Sequence, residues 1–97
     1  MGKIYVNQTA LRLQLYVGTD VDTALSLKIK YTKPDSETIY EFIALEPTDA
    51  VKSIYYDFQE GDLNVAGQWI FWAYVTFSDG RSAPGEPVKI RVWEEGT

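Results

Sequence analysis

Apolar and polar residues alternate along most of the chain with a period of two, which places successive side chains on opposite faces of a β-strand. The stretch LRLQLYV begins at Leu11 and puts its leucines on one face, and ALSLKIKYT and PVKIRVW repeat the pattern. Seven such runs predict seven strands, at about residues 3–8, 10–17, 23–32, 38–45, 52–58, 68–77 and 87–93.

Clusters of turn-forming residues separate these runs, among them GTDVD, KPDSE, EPTDA, SDG and APGEP. Helical spacing is supported for one turn at most, in EPTDAVKS. A chain of 97 residues is long enough for one domain with one core. We therefore predict an all-β fold over residues 1–97, a seven-stranded antiparallel sandwich of immunoglobulin-like or fibronectin type, with short flexible ends at about 1–2 and 95–97.

The stretch GQWIFWAYVTFSDG, from Gly67 to Gly80, is the most aromatic part of the chain. Alternation gives it one unbroken apolar face, made of Trp69, Phe71, Ala73, Val75 and Phe77. We predict that this face belongs to the core, because large apolar rings are the side chains that gain most from burial. The opposite face would then lie on the outside of the sheet and carries Ile70, Trp72 and Tyr74.

The last strand is expected to pair with this aromatic strand as a hairpin and to extend the same outer face. The candidate partner-binding residues are therefore Ile70, Trp72, Tyr74, Lys89, Arg91 and Trp93. Aromatic side chains together with arginine are typical of protein-interface hot spots, and the positive charges favour an acidic partner surface. In the alternative interpretation the rings only cover each other and the stems of Lys89 and Arg91, and no partner is involved.

Nine basic and fourteen acidic residues give the chain a net charge of −5, which disfavours nucleic acid and anionic membranes as partners. No apolar run has the length of a membrane span or a signal-peptide core. The chain contains no cysteine, as expected of a protein made in a reducing cytoplasm.

The sequence also contains no histidine, so it lacks the commonest general base and, without cysteine, the usual ligands of soft metals. Carboxylates crowd two turns, one with Asp20 and Asp22 and the other with Asp57, Glu60 and Asp62. Their spacing matches no EF-hand loop, and we expect them to be solvated turn residues. We predict no enzymatic activity, no catalytic residue, no metal site and no cofactor.

Two motifs give the chain a resemblance to a known group of domains. A strand ends in Tyr31, Lys33, Pro34 and Asp35, and a later Gly67–Trp69 pair is followed by an Asp79–Gly80 hairpin. Over residues 18–93 the chain resembles the small immunoglobulin-like sandwich domains of tailed phages and prophages, and is similar to the amino-terminal domain of phage baseplate upper proteins. Ser36 stands where glycine would be usual, which leaves the turn type open.

The resemblance implies a non-enzymatic structural protein of a phage or prophage virion, made in the host cytoplasm and associated with the virion. Its implied partners are other virion proteins or a second copy of this chain. A carbohydrate-binding or adhesion module is the alternative, with Trp72, Tyr74 and Trp93 as a stacking platform. A third interpretation is an immunoglobulin-like spacer domain, which needs no exposed aromatic patch.

Overall fold

The computed structural model describes residues 4–18, 21, 24–34, 36–47, 52–94 and 96. It confirms an all-β protein, with strands β1 (Ile4–Tyr5), β2 (Arg12–Tyr16), β3 (Ala24–Thr32), β4 (Tyr40–Ile43), β5 (Ser53–Asp57), β6 (Gly67–Phe77), β7 (Ser82–Pro84) and β8 (Val88–Trp93). The described residues form no α-helix, and none therefore that could span a membrane. The ends predicted to be flexible fall largely outside the described residues.

Two sheets face each other. The larger sheet has the strand order β1-β8-β6-β3-β4, and β7 pairs with β6 beyond the end of β8; the smaller sheet consists of β2 and β5. After β4 the chain crosses between them, because Leu45 forms a bridge with Tyr55 of β5. This crossover places the smaller sheet over the inner face of the larger one, in a sandwich-like arrangement.

Two features of the sheets differ from the sequence-based prediction. Strand β7 was not predicted, since its three residues include Pro84 and lie in what looked like a long hairpin loop. Strands β1 and β8 run parallel, with Ile4 opposite Val92, so the larger sheet is not wholly antiparallel. The predicted pairing of the aromatic strand with the last strand is confirmed, with Trp69 opposite Ile90.

The core lies between the sheets and is built around β6. Its largest fully buried side chains are Trp69, Phe71, Ile29, Ile54, Leu63, Val75 and Val92. The indole N–H of Trp69 donates to the carbonyl oxygen of Val65 at 3.0 Å, so the buried ring leaves no polar atom without a partner. The prediction that this face of the aromatic strand is structural is confirmed.

Stacked aromatic rings join the two sheets at one end of the core. The ring centroids of Tyr31 and Phe42 are 4.3 Å apart, and those of Phe42 and Tyr56 are 4.1 Å apart. In TIYEFIAL, alternation allows either Tyr40, Phe42 and Ala44 or Ile39, Ile43 and Leu45 to face inward. The structure decides between them, since Phe42 and Ala44 are buried while Ile43 is exposed.

Alternation in ALSLKIKYT puts Leu25 on the same face as Leu27, Ile29 and Tyr31 and so predicts that it faces the core, and this prediction is wrong. The register between β3 and β6 shifts between Ala24 and Ser26, as at a β-bulge, and the Leu25 side chain is 73% exposed. A bulge adds one residue to one strand only, so alternation counted from the sequence fails at that point.

Candidate interaction face

The outer face of the larger sheet, the side turned away from β2 and β5, carries all six residues predicted to bind a partner. Strand pairing places Ile70 directly opposite Lys89, and Gln68 opposite Arg91. Trp72 and Tyr74 lie beyond the end of β8, so Lys89 and Arg91 are not their cross-strand neighbours. The six residues therefore share one side of the sheet, but their order along it differs from that of a simple hairpin.

Strand β3 supplies two basic residues to this face that the candidate set did not include. Lys30 is the cross-strand neighbour of Trp72, and Lys28 is that of Tyr74. Alternation does place both lysines on the outward side of their own strand. The sequence does not reveal that β3 pairs with β6, and only that pairing brings the lysines beside the aromatic rings.

The six predicted residues do not form one compact cluster. Trp93 lies beyond Val92, which is opposite Gly67, and its neighbour is Tyr5 of β1. At about 3.3 Å per residue, Trp93 and Tyr74 are therefore roughly 26 Å apart along the strands. The face is an elongated strip, with Trp93 at one corner, Ile70 near the middle and Tyr74 towards the other end.

Cations lie over the aromatic rings of this strip. The Lys30 ammonium nitrogen is 3.9 Å from the ring centroid of Tyr74, and the Arg91 guanidinium carbon is 5.0 Å from that of Trp93. Such cation–π contacts contribute about 0.5–1 kcal/mol each where solvent has access. They fix the charged groups over the rings, which leaves the rings half-buried.

The charge of this face is opposite to the charge of the whole chain. Its paired positions carry four basic residues, Lys28, Lys30, Lys89 and Arg91. Among the paired positions of the described face, Glu41 is the one acidic residue, and its carboxylate lies 3.4 Å from the Lys28 ammonium group. A chain with a net charge of −5 thus presents a positive strip on one sheet.

Open clefts lie at the corner of the strip that contains Trp93. One of about 320 Å³ is lined by Gly67, Arg91 and Trp93 among others, and the adjoining one, of about 490 Å³, is lined by Val6, Asn7, Asn64, Val65, Ala66 and Glu94. Their walls combine apolar groups with side-chain amides, the carboxylate of Glu94 and the guanidinium group of Arg91. They extend the strip as a recessed surface.

The carboxylates of the second turn have partners within the fold. The Arg12 guanidinium binds Asp57 through two hydrogen bonds of 2.6 and 3.1 Å and lowers the pKa of that carboxyl group. The Asp62 carboxylate accepts the Tyr56 hydroxyl at 2.5 Å and the Gln59 backbone N–H at 2.7 Å. The other predicted pair, Asp20 and Asp22, lies outside the described residues.

Comparison with known proteins gives one full-length structural likeness. The structure of CopC from Methylosinus trichosporium OB3b superimposes with a TM-score of 0.62, at 18% sequence identity, over 100% of this chain and 89% of that chain. The fold resembles that of CopC. No protein-family model matches the chain, and no curated protein matches its sequence.

At 18% identity the likeness to CopC shows the fold alone. It supports the sandwich-like arrangement of the two sheets and carries no ligand or residue role to this chain. It also corrects the functional interpretation drawn from the phage resemblance. The full-length likeness is to CopC, which has no link to a phage, and the interpretation as a structural protein of a phage or prophage virion is therefore wrong.

Proposed function

We propose that this protein is a non-catalytic binding domain that recognises an acidic protein surface with the outer face of its larger sheet. The observation that carries the proposal is the gathering of four cations and three large aromatic rings on that one face. Aromatic and arginine side chains provide binding energy at interfaces, and a local positive charge selects acidic partners.

The composition supports a binding role over catalysis. The chain has no histidine and no cysteine, and the described residues contain no cluster of three potential metal-binding side chains. Carboxylates in the described turn are held by Arg12 and Tyr56. The fold itself we propose to be a variant of the immunoglobulin-like sandwich, on the grounds that predicted and observed strands correspond in all but β7.

A carbohydrate platform is less well supported by the same face. Sugar rings stack on aromatic faces that are open to solvent, whereas Lys30 covers Tyr74 and Arg91 covers Trp93. Nucleic acid would be attracted by the positive strip but repelled by the rest of the chain, whose net charge is −5, so it is the less favoured partner. An acidic protein surface complements the positive charge of this face, and binding it would remove the rest of the half-buried rings from water.

The experiment uses a synthetic peptide of alternating Asp and Phe as the probe and an isosteric Asn–Phe peptide as its neutral control. Binding is followed by nuclear magnetic resonance shifts of backbone amides and of the tryptophan indole N–H groups. We expect the acidic peptide to shift Lys28, Lys30 and Trp72, and the binding to weaken as salt is raised.

Variants then locate the contact. The double change Trp72→Ser and Arg91→Glu should weaken binding by about tenfold or more, since it removes an anchor and reverses a charge. Lys52→Glu is the matched control, because it reverses a charge that is exposed away from this face. Equal loss in both variants, or tighter binding of an oligonucleotide or oligosaccharide than of the acidic peptide, would refute the proposal.

A further inference from the structure

A cation over an aromatic ring marks each end of the positive strip. At one end the Lys30 ammonium nitrogen lies 3.9 Å from the ring centroid of Tyr74, and at the other the Arg91 guanidinium carbon lies 5.0 Å from that of Trp93. Gln68, the cross-strand neighbour of Arg91, belongs to this second end. A ring covers only one side of a cation, and the other N–H donors can still bind a carboxylate. The strip therefore has two cationic anchors, each held in place by a ring.

The part of the strip between the two anchors is largely apolar. Ile70 and Trp72 are outward residues of β6, and both are half-buried. Lys30 is the cross-strand neighbour of Trp72, but its ammonium group is turned towards Tyr74. Lys89 lies opposite Ile70 and borders this part on the β8 side. A partner that lies along the strip therefore meets a cation, then apolar side chains, then a second cation.

The strip is long and narrow. Trp93 and Tyr74 are roughly 26 Å apart along the strands, and the axes of β3 and β8, on either side of β6, are about 10 Å apart. The strip therefore covers roughly 260 Å² between those two strands, whereas a folded partner typically buries about 800 Å² on each protein. On the β4 side it is bounded by Glu41, whose carboxylate already binds Lys28 at 3.4 Å. These dimensions suit a single extended segment and are too small for the surface of a globular partner.

We infer that the acidic partner binds through one extended segment of about nine residues, with acidic side chains at both ends and apolar side chains between them. At about 3.3 Å per residue, such a segment spans the distance between the anchors. Its side chains alternate in direction, so every second one faces the sheet, with the same repeat as the outward residues of β6. The end carboxylates bind Lys30 and Arg91, and the central apolar side chains pack on Ile70 and Trp72.

An α-helix of the same length does not reach both anchors. At 1.5 Å per residue, nine helical residues cover only about 13 Å, and about 17 residues are needed to cover the whole distance. A short peptide therefore distinguishes the two conformations. The inference rests on the proposed acidic partner and adds its conformation and its charge pattern.

Two nine-residue peptides of identical composition test the charge pattern. The first has two Asp residues at each end and the sequence Val-Ser-Val-Ser-Val between them, and the second has the four Asp residues in the centre and the other five divided between its ends. Binding is followed by nuclear magnetic resonance shifts of the backbone amides of the protein. We expect the first peptide to bind about three- to tenfold more tightly, because only that peptide can bring a carboxylate to each anchor. The transferred nuclear Overhauser contacts of the bound peptide should be those of an extended chain.

Single variants of the protein locate the anchors. Lys30→Gln and Arg91→Gln each remove one anchor charge, and each should abolish the preference for the first peptide. Lys52→Gln is the matched control, because it removes an exposed charge away from this face, and it should keep the preference. Melting temperatures show whether the variants retain the fold, and Arg91 is exposed, so its variant should do so.

The possible results separate this inference from the proposed function. Equal affinity of the two peptides, each binding more tightly than its Asn counterpart, would overturn the extended segment and leave the acidic partner in place. Binding no tighter than that of the Asn counterparts would overturn both. A preference that persists in Lys30→Gln and Arg91→Gln, or a bound peptide with helical contacts, would also contradict the inference.

Discussion

Trp69 and Trp72 are three residues apart in one strand and have opposite surroundings. Trp69 is fully buried between the sheets, where it lies against Phe71 and Tyr31, whereas Trp72 is half-buried on the outer face beside Lys30. Because the strand alternates without interruption here, the difference follows from position alone.

We therefore expect Trp69→Ala to lower the free energy of unfolding by about 3–5 kcal/mol, through lost burial and the cavity left behind. Trp72→Ala should cost about 1–2 kcal/mol at most, since its ring is only partly removed from water. Urea denaturation of both variants measures the difference. Equal losses would show that the two faces of β6 have been assigned wrongly.

The ionisation of the Tyr56 hydroxyl makes the stability of the fold depend on pH in the alkaline range. Partial burial and its hydrogen bond to Asp62 raise the pKa of the Tyr56 hydroxyl above its ordinary value of about 10. In the unfolded chain the hydroxyl loses its proton near pH 10, whereas the folded chain retains it. Stability is therefore complete below about pH 10 and decreases as pH rises above it.

We predict that Tyr56→Phe flattens this alkaline decrease, although it weakens the protein at neutral pH by the loss of one hydrogen bond. The measurement is the free energy of unfolding from pH 8 to pH 12 for both proteins. A decrease of the same steepness in the variant would exclude Tyr56 as the responsible group.

At the scale of the element, the start of β6 depends on a glycine. Gly67 has φ +130°, and a Cβ built there would lie 2.7 Å from the Cβ and Cγ atoms of Pro34. The backbone conformation is strained for other residues, and the clash is with a rigid proline ring. Gly67 and Pro34 together set where the turn after β3 packs against the start of β6.

We expect Gly67→Ala to reduce the melting temperature more than Gly80→Ala, by an amount equivalent to about 1–2 kcal/mol. Gly80 also has a positive φ, of +86°, but nothing lies within 4 Å of its added Cβ, so Gly80→Ala introduces a side chain at a positive φ without a clash. Equal melting temperatures for the two variants would show that the close approach of Gly67 to Pro34 does not limit stability.

Elements with strict alternation were predictable, and their irregularities were not. The buried rows of β2 and β6 follow from the sequence because each strand keeps one register throughout. The exposure of Leu25 depends on a bulge, and the parallel pairing of β1 depends on which strand it meets. Both are decided by contacts between distant parts of the chain, which periodicity does not contain.

At the scale of the whole molecule, the sequence placed the β6 and β8 residues of the candidate interaction face on one side of the sheet, but it did not include all of the basic residues on that side. Lys28 and Lys30 belong to it through the pairing of β3 with β6, across more than forty positions of sequence. Conversely, the exposure of Ile43 could not be foreseen, since alternation allowed either face of β4 to point inward. The sequence predicts faces within strands, and the order of strands determines which faces meet.

The molecule should not depend on a divalent cation for its stability. Asp57 is paired with Arg12, and Asp62 is bonded to Tyr56, so binding an ion in this turn would break existing hydrogen bonds. We expect the melting temperature to be the same with and without millimolar calcium. A marked rise with calcium, absent in Asp62→Asn, would identify a site in this turn.

The parallel pairing of β1 with β8 affects how the fold resists a mechanical force applied to these two strands. Ile4 and Tyr5 lie beside Val92 and Trp93, and the Val6 N–H donates to the Trp93 carbonyl oxygen at 2.9 Å. Suppose that Ile4 is pulled towards the amino-terminal end of its strand and Trp93 towards the carboxyl-terminal end of its own. Because the strands are parallel, the two forces then make them slide past each other in opposite directions. The bonds between them are then loaded in shear and must break together, whereas a hairpin pulled at its open end unzips one bond at a time. For the same number of hydrogen bonds, this parallel pair should therefore withstand a greater force applied between Ile4 and Trp93 than a hairpin pulled at its open end.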